Sequence, residues 1–177
     1  YRKIKVGMDI SQIAHIGGVA NYTHNLATEL SKISDLEMVY FYSSLRKPYQ
    51  QAVSALASSA YKGGLKNVKK YKLPPTLFEM LFNRWRNVNI EKFIGRVDVF
   101  HSSDWTQPPS KAKKVTTIHD LVPLKYPEWS HPKVVAVHKR RLWLVQEEVD
   151  IIIAVSESAK SDILKLTQIP EEKIQVI

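Results

Sequence analysis

The stretch Asp150-Ile151-Ile152-Ile153-Ala154-Val155-Ser156-Glu157-Ser158-Ala159 decides how this chain folds. An apolar run from Ile151 to Val155 sits behind an aspartate and ahead of a serine. The run is far shorter than the roughly 20 residues of a membrane span, and its β-branched content marks a buried strand. Ser156 or Ser158 then opens a helix over 157–166, because a serine oxygen can accept a first-turn N–H that has no partner within the helix. A buried strand that passes straight into a capped helix is the repeating unit of a parallel sheet covered by helices.

The same switch of hydrophobic period recurs outward from this stretch. Ile4, Val6 and Met8 alternate with other residues, so 3–9 reads as a strand. Val19, Tyr22, Leu26, Ala27 and Leu30 then fall at helical spacing over 19–32. A strand over 38–42 follows, then a helix over 48–59 opened by Pro48, a turn at Gly63-Gly64 and a strand over 68–73. Pro74-Pro75-Thr76 starts a long helix over 76–94. Strands at 97–101 and 115–119 are followed by a proline-bearing loop over 121–130. Ser130 as cap and Pro132 in the first turn begin a helix that reaches 149, and the last strand is 173–177. The fold class is therefore α/β: a doubly wound, mainly parallel sheet in a Rossmann-like three-layer domain.

Composition narrows the partners. The 177 residues fit one domain, and the absence of cysteine excludes disulfides and thiolate zinc sites. It also fits a reducing, cytoplasmic setting. The net charge of +9 favours anionic partners, although a merely basic soluble surface explains it equally well. The basic residues lie in several patches, among them Lys66, Lys69, Lys70 and Lys72, and Lys139, Arg140 and Arg141. The chain opens on Tyr1 rather than Met and its alternation stops at Ile177, so further sequence is expected on both sides.

Ligands of open α/β sheets bind beyond the carboxyl ends of the strands. After the first strand comes Asp9-Ile10-Ser11-Gln12-Ile13-Ala14-His15-Ile16-Gly17-Gly18. Paired glycines before a helix let a ligand approach backbone N–H groups, but they also make an ordinary βα turn. No G-x-G-x-x-G is present, which argues against a nicotinamide enzyme. His101-Ser102-Ser103-Asp104-Trp105 and His119-Asp120 come after two other strands. Each histidine can donate to a sugar hydroxyl or phosphate, or can simply bond loop backbone. His15, His101 and His119 have no spacing that demands a metal. His138 and Arg141 are polar residues beside an apolar helical stripe, either buried anchors or cleft lining. The aromatic, arginine-bearing segment 76–94 can pack on the sheet or lie on a membrane surface.

The ordered set resembles a family. It comprises Gly17-Gly18-Val19-Ala20-Asn21-Tyr22, His101-Ser102-Ser103, Thr116-Thr117-Ile118-His119-Asp120-Leu121-Val122-Pro123, and the stretch from Val149 to Ser158. Together these resemble the N-terminal domain of the family 4, or group 1, retaining glycosyltransferases of GT-B fold. The resemblance covers nearly the whole chain and implies that residues 1–177 form the acceptor-side half, with a donor-binding C-terminal domain beyond. It implies transfer of a sugar from a nucleotide-sugar to a saccharide or lipid-linked acceptor, as in cell-envelope polysaccharide synthesis. No cofactor and no metal is implied, and the chain has no Asp-x-Asp motif. A lipid-linked acceptor would bring the protein to the inner face of the membrane as a peripheral protein.

Carried over by position, His119 and Gly18 are the catalytic candidates. The resemblance sets Gly17 and Gly18 against the donor phosphate or reacting sugar, and His119 against the donor sugar. Tyr22, Ser102, Asp104 and Asp120 become cleft or acceptor candidates, with Ser156 and Glu157 as weaker ones. No general base is assigned, because in the front-face mechanism of such enzymes the leaving phosphate takes the acceptor's proton. The competing reading is a basic α/β binding module for nucleic acid or a membrane surface. It ranks lower because the chain has no recognisable nucleic-acid reader motif and lacks interleaved exposed aromatic residues.

Overall fold

A computed structural model describes residues 2–56 and 65–177. The described residues form one seven-stranded sheet, with every adjacent pair parallel. In chain order the strands are β1 (Ile4–Asp9), β2 (Leu36–Ser43), β3 (Val68–Tyr71), β4 (Val99–Ser102), β5 (Lys113–Ile118), β6 (Ile151–Ala154) and β7 (Ile174–Val176). In space they run β3-β2-β1-β4-β5-β6-β7. Strands are added on one side of β1 and then, after a crossover, on the other. The direction of winding therefore reverses between β1 and β4.

The helices arise from the same apolar periodicity. Helix α1 (Gly18–Ser31) buries Ala20, Thr23, His24, Ala27 and Thr28. With α2 (Tyr49–Ser54) it helps cover a core of Met8, Ile10, Tyr40, Tyr42 and Ala52. A second core joins Val39, Phe41 and Phe100 to Phe78, Phe82, Ile90 and Ile94, and is largely aromatic. A third gathers Ile118, Ile152 and Ala154 under Leu142, Val145 and Ile163, from α6 (Pro132–Glu148) and α7 (Glu157–Leu166). The apolar run from Ile151 and the helix after it thus supply much of this third core. Ser156 caps α7, accepting from the Ala159 N–H at 3.1 Å.

Four expectations change. The single helix over 76–94 is instead α3 (Pro75–Phe78), a seven-residue π-helical segment (Glu79–Trp85) and, after a break, α4 (Glu91–Ile94). Wider winding turns Asn83 inward, where it donates to the Trp105 carbonyl at 3.1 Å and accepts from the Gln107 N–H at 2.8 Å. Arg86 ends the segment in the left-handed region, at φ 52°. The loop over 121–130 contains a short helix, α5 (Val122–Lys125), and a 3-10 turn at Pro127–Trp129. The cap of α6 is His131 rather than Ser130: its Nδ1 accepts from the Lys133 N–H at 3.2 Å. A histidine nitrogen can replace a serine oxygen there because the cap needs only an acceptor beside the first turn. Helix α2 ends at Ser54, short of the helix expected over 48–59, and the turn at Gly63-Gly64 lies outside the described residues.

Gly7 shows how closely a helix approaches the sheet. A Cβ on it would lie 2.6 Å from Ile94 Cδ1, so any side chain there would force the Ile94 side chain to move.

Candidate functional site at the switch point

Loops leaving β1 and β4 diverge to opposite faces of the sheet, and the crevice between them is where an open α/β sheet binds ligands. In this chain it holds a cleft of about 690 Å³. Asp9, Ser11 and His15 line it from the β1 side, Ser103 to Thr106 from the β4 side, and Arg46, Lys47, Phe41 and Phe78 from the rest. Ser11 ties the loops together, donating its N–H to Asp9 Oδ1 at 2.9 Å and accepting the Ser43 N–H on its hydroxyl at 3.0 Å. Asp9 is buried, and burial raises its pKa against the opposing hydrogen bonds from Ser11 and Ser103.

Along the rim, α1 begins at an exposed pair of glycines. Gly17 has φ 139° and ψ −175°, a conformation open almost only to glycine, and its carbonyl accepts the Asn21 N–H at 3.2 Å. A Cβ on either Gly17 or Gly18 would meet nothing within 4 Å, so the start of this helix is open to a ligand. Tyr22, one turn beyond Gly18 and so on the same helical face, meets the His119 ring edge-on with centroids 4.8 Å apart. Tyr22, Gly18 and His119 are thereby brought together, although 97 residues separate Tyr22 from His119.

Beneath them runs a polar chain. The Thr117 hydroxyl lies 3.3 Å from Tyr22 Oη and 2.9 Å from His101 Nε2. His101 is buried, and its pKa is pushed down to about 4 by burial first, then by Arg141 and His119. His119 is also lowered, by burial most of all, with Asp104 opposing and Arg141 assisting. His138, whose ring meets Trp105 edge-on at 5.9 Å, is lowered by the same causes. At neutral pH all three present neutral imidazoles, which can donate and accept one hydrogen bond each.

Arg141 is the anchor of this arrangement and is 3% exposed. Its guanidinium donates to the Ser103 carbonyl at 3.0 Å and to Thr116 Oγ1 at 2.7 Å, and it pairs with Asp104 Oδ1 at 3.4 Å. The β4 loop is thus fastened to β5, and Asp104 is held at the cleft wall. Of the two readings left open for Arg141, the buried anchor is the observed one.

The remaining candidates are spread out. Ser102 is buried and donates to Gln107 Oε1 at 2.7 Å, with its oxygen 2.8 Å from the Thr116 hydroxyl, and it does not line the cleft. Asp120 is exposed and accepts the Val122 N–H at 2.9 Å, so it does not orient His119. Ser156 and Glu157 stand at the end of β6, farther along the carboxyl edge, with Ser156 occupied as a cap. Asp9, Arg46 and Lys47 were not picked out as site residues from sequence. Their signal was position: Asp9 ends β1, and Arg46 and Lys47 lie in the loop at the carboxyl end of β2. Among the described residues, no group of three or more His, Cys, Asp or Glu side chains is placed to hold a metal ion. No helix among them is long and apolar enough to cross a membrane.

A parallel doubly wound domain with an open crevice at its switch point defines a class of ligand-binding α/β domains. Within that class, the sequence profile of Glycosyltransferase Family 4 matches residues 16–177, and the chain belongs to that family. The match begins at the loop that carries Gly17 and Gly18. A comparison with curated proteins returns no match.

Proposed function

We propose that this domain is the acceptor-side wall of a retaining glycosyltransferase of GT-B architecture, moving a sugar from a nucleotide-sugar to a saccharide or lipid-linked acceptor. The observation that carries the reading is the contact between Tyr22 and His119 beside the exposed glycines of α1, in a chain that belongs to a glycosyltransferase family. A donor-binding second domain would close over this edge. The first-turn N–H groups after Gly17 would stabilise charge that builds on the leaving diphosphate. His119, kept neutral by burial, would donate to a hydroxyl of the transferred sugar without adding a second positive charge. The leaving phosphate, not a protein side chain, would accept the acceptor's proton, so retention of configuration needs no general base from this domain. No cofactor or metal enters this scheme.

The test is transfer by the full-length protein from a panel of nucleotide-sugars, with the anomeric configuration of the product read by NMR. Transfer with retention is expected, and the 177-residue chain alone should be inactive. Inversion would sink the retaining assignment, and turnover by the chain alone would sink the two-domain scheme.

A further inference from the structure

We infer that the cleft carries a subsite for a phosphate group on the acceptor, built by Arg46 and Lys47. This rests on reading the domain as the acceptor side. The titratable groups that line the cleft are Asp9, His15, Arg46, Lys47 and Asp104. Of the two carboxylates, Asp104 pairs with Arg141, whereas Asp9 accepts from the neutral Ser11 N–H and has no cationic partner among the described residues. Arg46 and Lys47 make no ion pair among the described residues. Two cations thus face one carboxylate without an ion-pair partner, and the balance of formal charge in the cleft is positive. Two neighbouring cations match a phosphate monoester, which carries about −1.5 to −2 at neutral pH. A carboxylate would leave one of them unmatched.

The loop that bears them is held in place before any ligand arrives. Ser44 donates its N–H to the Tyr71 carbonyl at 3.2 Å, and its hydroxyl accepts the Lys47 N–H at 3.1 Å. The Tyr42 hydroxyl donates to the Lys47 carbonyl. Tyr42 is itself fully buried, so the loop is fastened to the core at the end of β2. Arg46 is exposed and Lys47 half-buried, which leaves both side chains able to reach a ligand. Phe41, Phe78, Pro74 and Pro75 supply apolar wall on the same cleft, suited to the carbon skeleton that carries the phosphate. That skeleton can be a free sugar or a lipid.

The experiment titrates the full-length protein calorimetrically with inorganic phosphate, glucose, glucose 6-phosphate, farnesol and farnesyl phosphate. At least one phosphorylated probe should bind about tenfold or more tightly than its unphosphorylated parent, as charge-assisted bonds require. Glucose 6-phosphate as the favoured probe identifies a free sugar phosphate, and farnesyl phosphate a lipid-linked one. The preference should vanish in Arg46→Ala/Lys47→Ala, which leaves the backbone hydrogen bonds of the loop in place. It should persist in Lys139→Ala/Arg140→Ala, which removes two exposed charges outside the cleft. Phosphate bound instead at Gly17 and Gly18 would survive the first double variant, and that result overturns the inference. So does an equal affinity for phosphorylated and unphosphorylated probes. Sugar transfer measured on the same samples separates the two readings. Transfer onto a neutral acceptor at an unchanged rate in Arg46→Ala/Lys47→Ala, with no phosphate preference in the parent, removes the subsite and keeps the transferase. A phosphate preference lost in that variant, without transfer from any donor, keeps the subsite and removes the transferase.

Discussion

Gly17 and Gly18 are neighbours with opposite tolerances. Gly17 sits where an L side chain is strained whatever space surrounds it, whereas Gly18 is the first residue of α1 with open space around it. Gly17→Ala should therefore cost about 1–3 kcal/mol. Gly18→Ala should be neutral or stabilising by up to about 1 kcal/mol, since it also restricts the unfolded chain. Urea midpoints of the two variants at constant slope check both, and a Gly18→Ala loss as large as that of Gly17→Ala would refute the geometry. If the helix start holds the donor, Gly18→Ala should keep its stability and still lose transfer.

His101 couples stability to pH. Its folded pKa of about 4 lies below the ordinary 6.5, so the unfolded chain binds this proton first as pH falls. Its contribution is complete above pH 6.5 and drains as pH drops towards 4. At about 1.4 kcal/mol per unit, the loss over that window is about 3 kcal/mol. His119 and His138 are lowered in the same direction and add to the trend. His101→Gln keeps a polar partner for Thr117 and removes this titration. Its stability should fall less than that of the parent between about pH 7 and pH 4.5. An identical fall would place the acid sensitivity elsewhere.

Among the elements, the strands were legible in the sequence and the segment 75–94 was not. β6 is a continuous apolar run, β2 is rich in apolar and aromatic residues and β1 carries apolar residues at alternate positions, the traces that strands of a helix-covered sheet leave. A helical stripe of Leu77, Phe78, Leu81, Phe82 and Trp85 is equally compatible with α winding and with the wider π turn. What selects the π turn is tertiary: Asn83 meets the β4 loop, and Arg86 reaches both the Gln107 carbonyl and Glu148. Arg86 holds Glu148 through two contacts of 2.7 Å, which ties this segment to α6. The pair is about a quarter exposed, so its worth is discounted for screening. Arg86→Ala should lower stability by about 1–2 kcal/mol, as a drop in denaturation midpoint at unchanged slope. A variant as stable as the parent would mean that packing alone fixes the π segment.

At the scale of the whole molecule, strand order is what sequence patterning leaves open. Alternating strands and helices imply a parallel sheet, but only the observed order puts the reversal between β1 and β4 and so fixes where the crevice lies. The candidate site was legible to the same extent. Asp104 lines the crevice, as its place after a strand suggested, while Tyr22 and His119 meet beside the exposed start of α1, outside the crevice lining. Ser102 also ends a strand, yet the two-residue alternation of β4 turns it toward Thr116 and away from the cleft. Arg46 and Lys47 carry no motif; only the folded cleft brings them beside Asp9 and Trp105.

In the proposed transferase, the edge carrying Gly17, Gly18 and His119 touches the sugar being transferred. The most direct test of that contact is sugar transfer by full-length His119→Ala, measured beside the parent at neutral pH, with urea unfolding to establish that the variant folds. Loss of a positioned hydrogen bond to the transferred sugar predicts a fall of about a hundredfold or more in kcat, with the denaturation midpoint close to that of the parent. A folded His119→Ala protein with full activity would contradict the account.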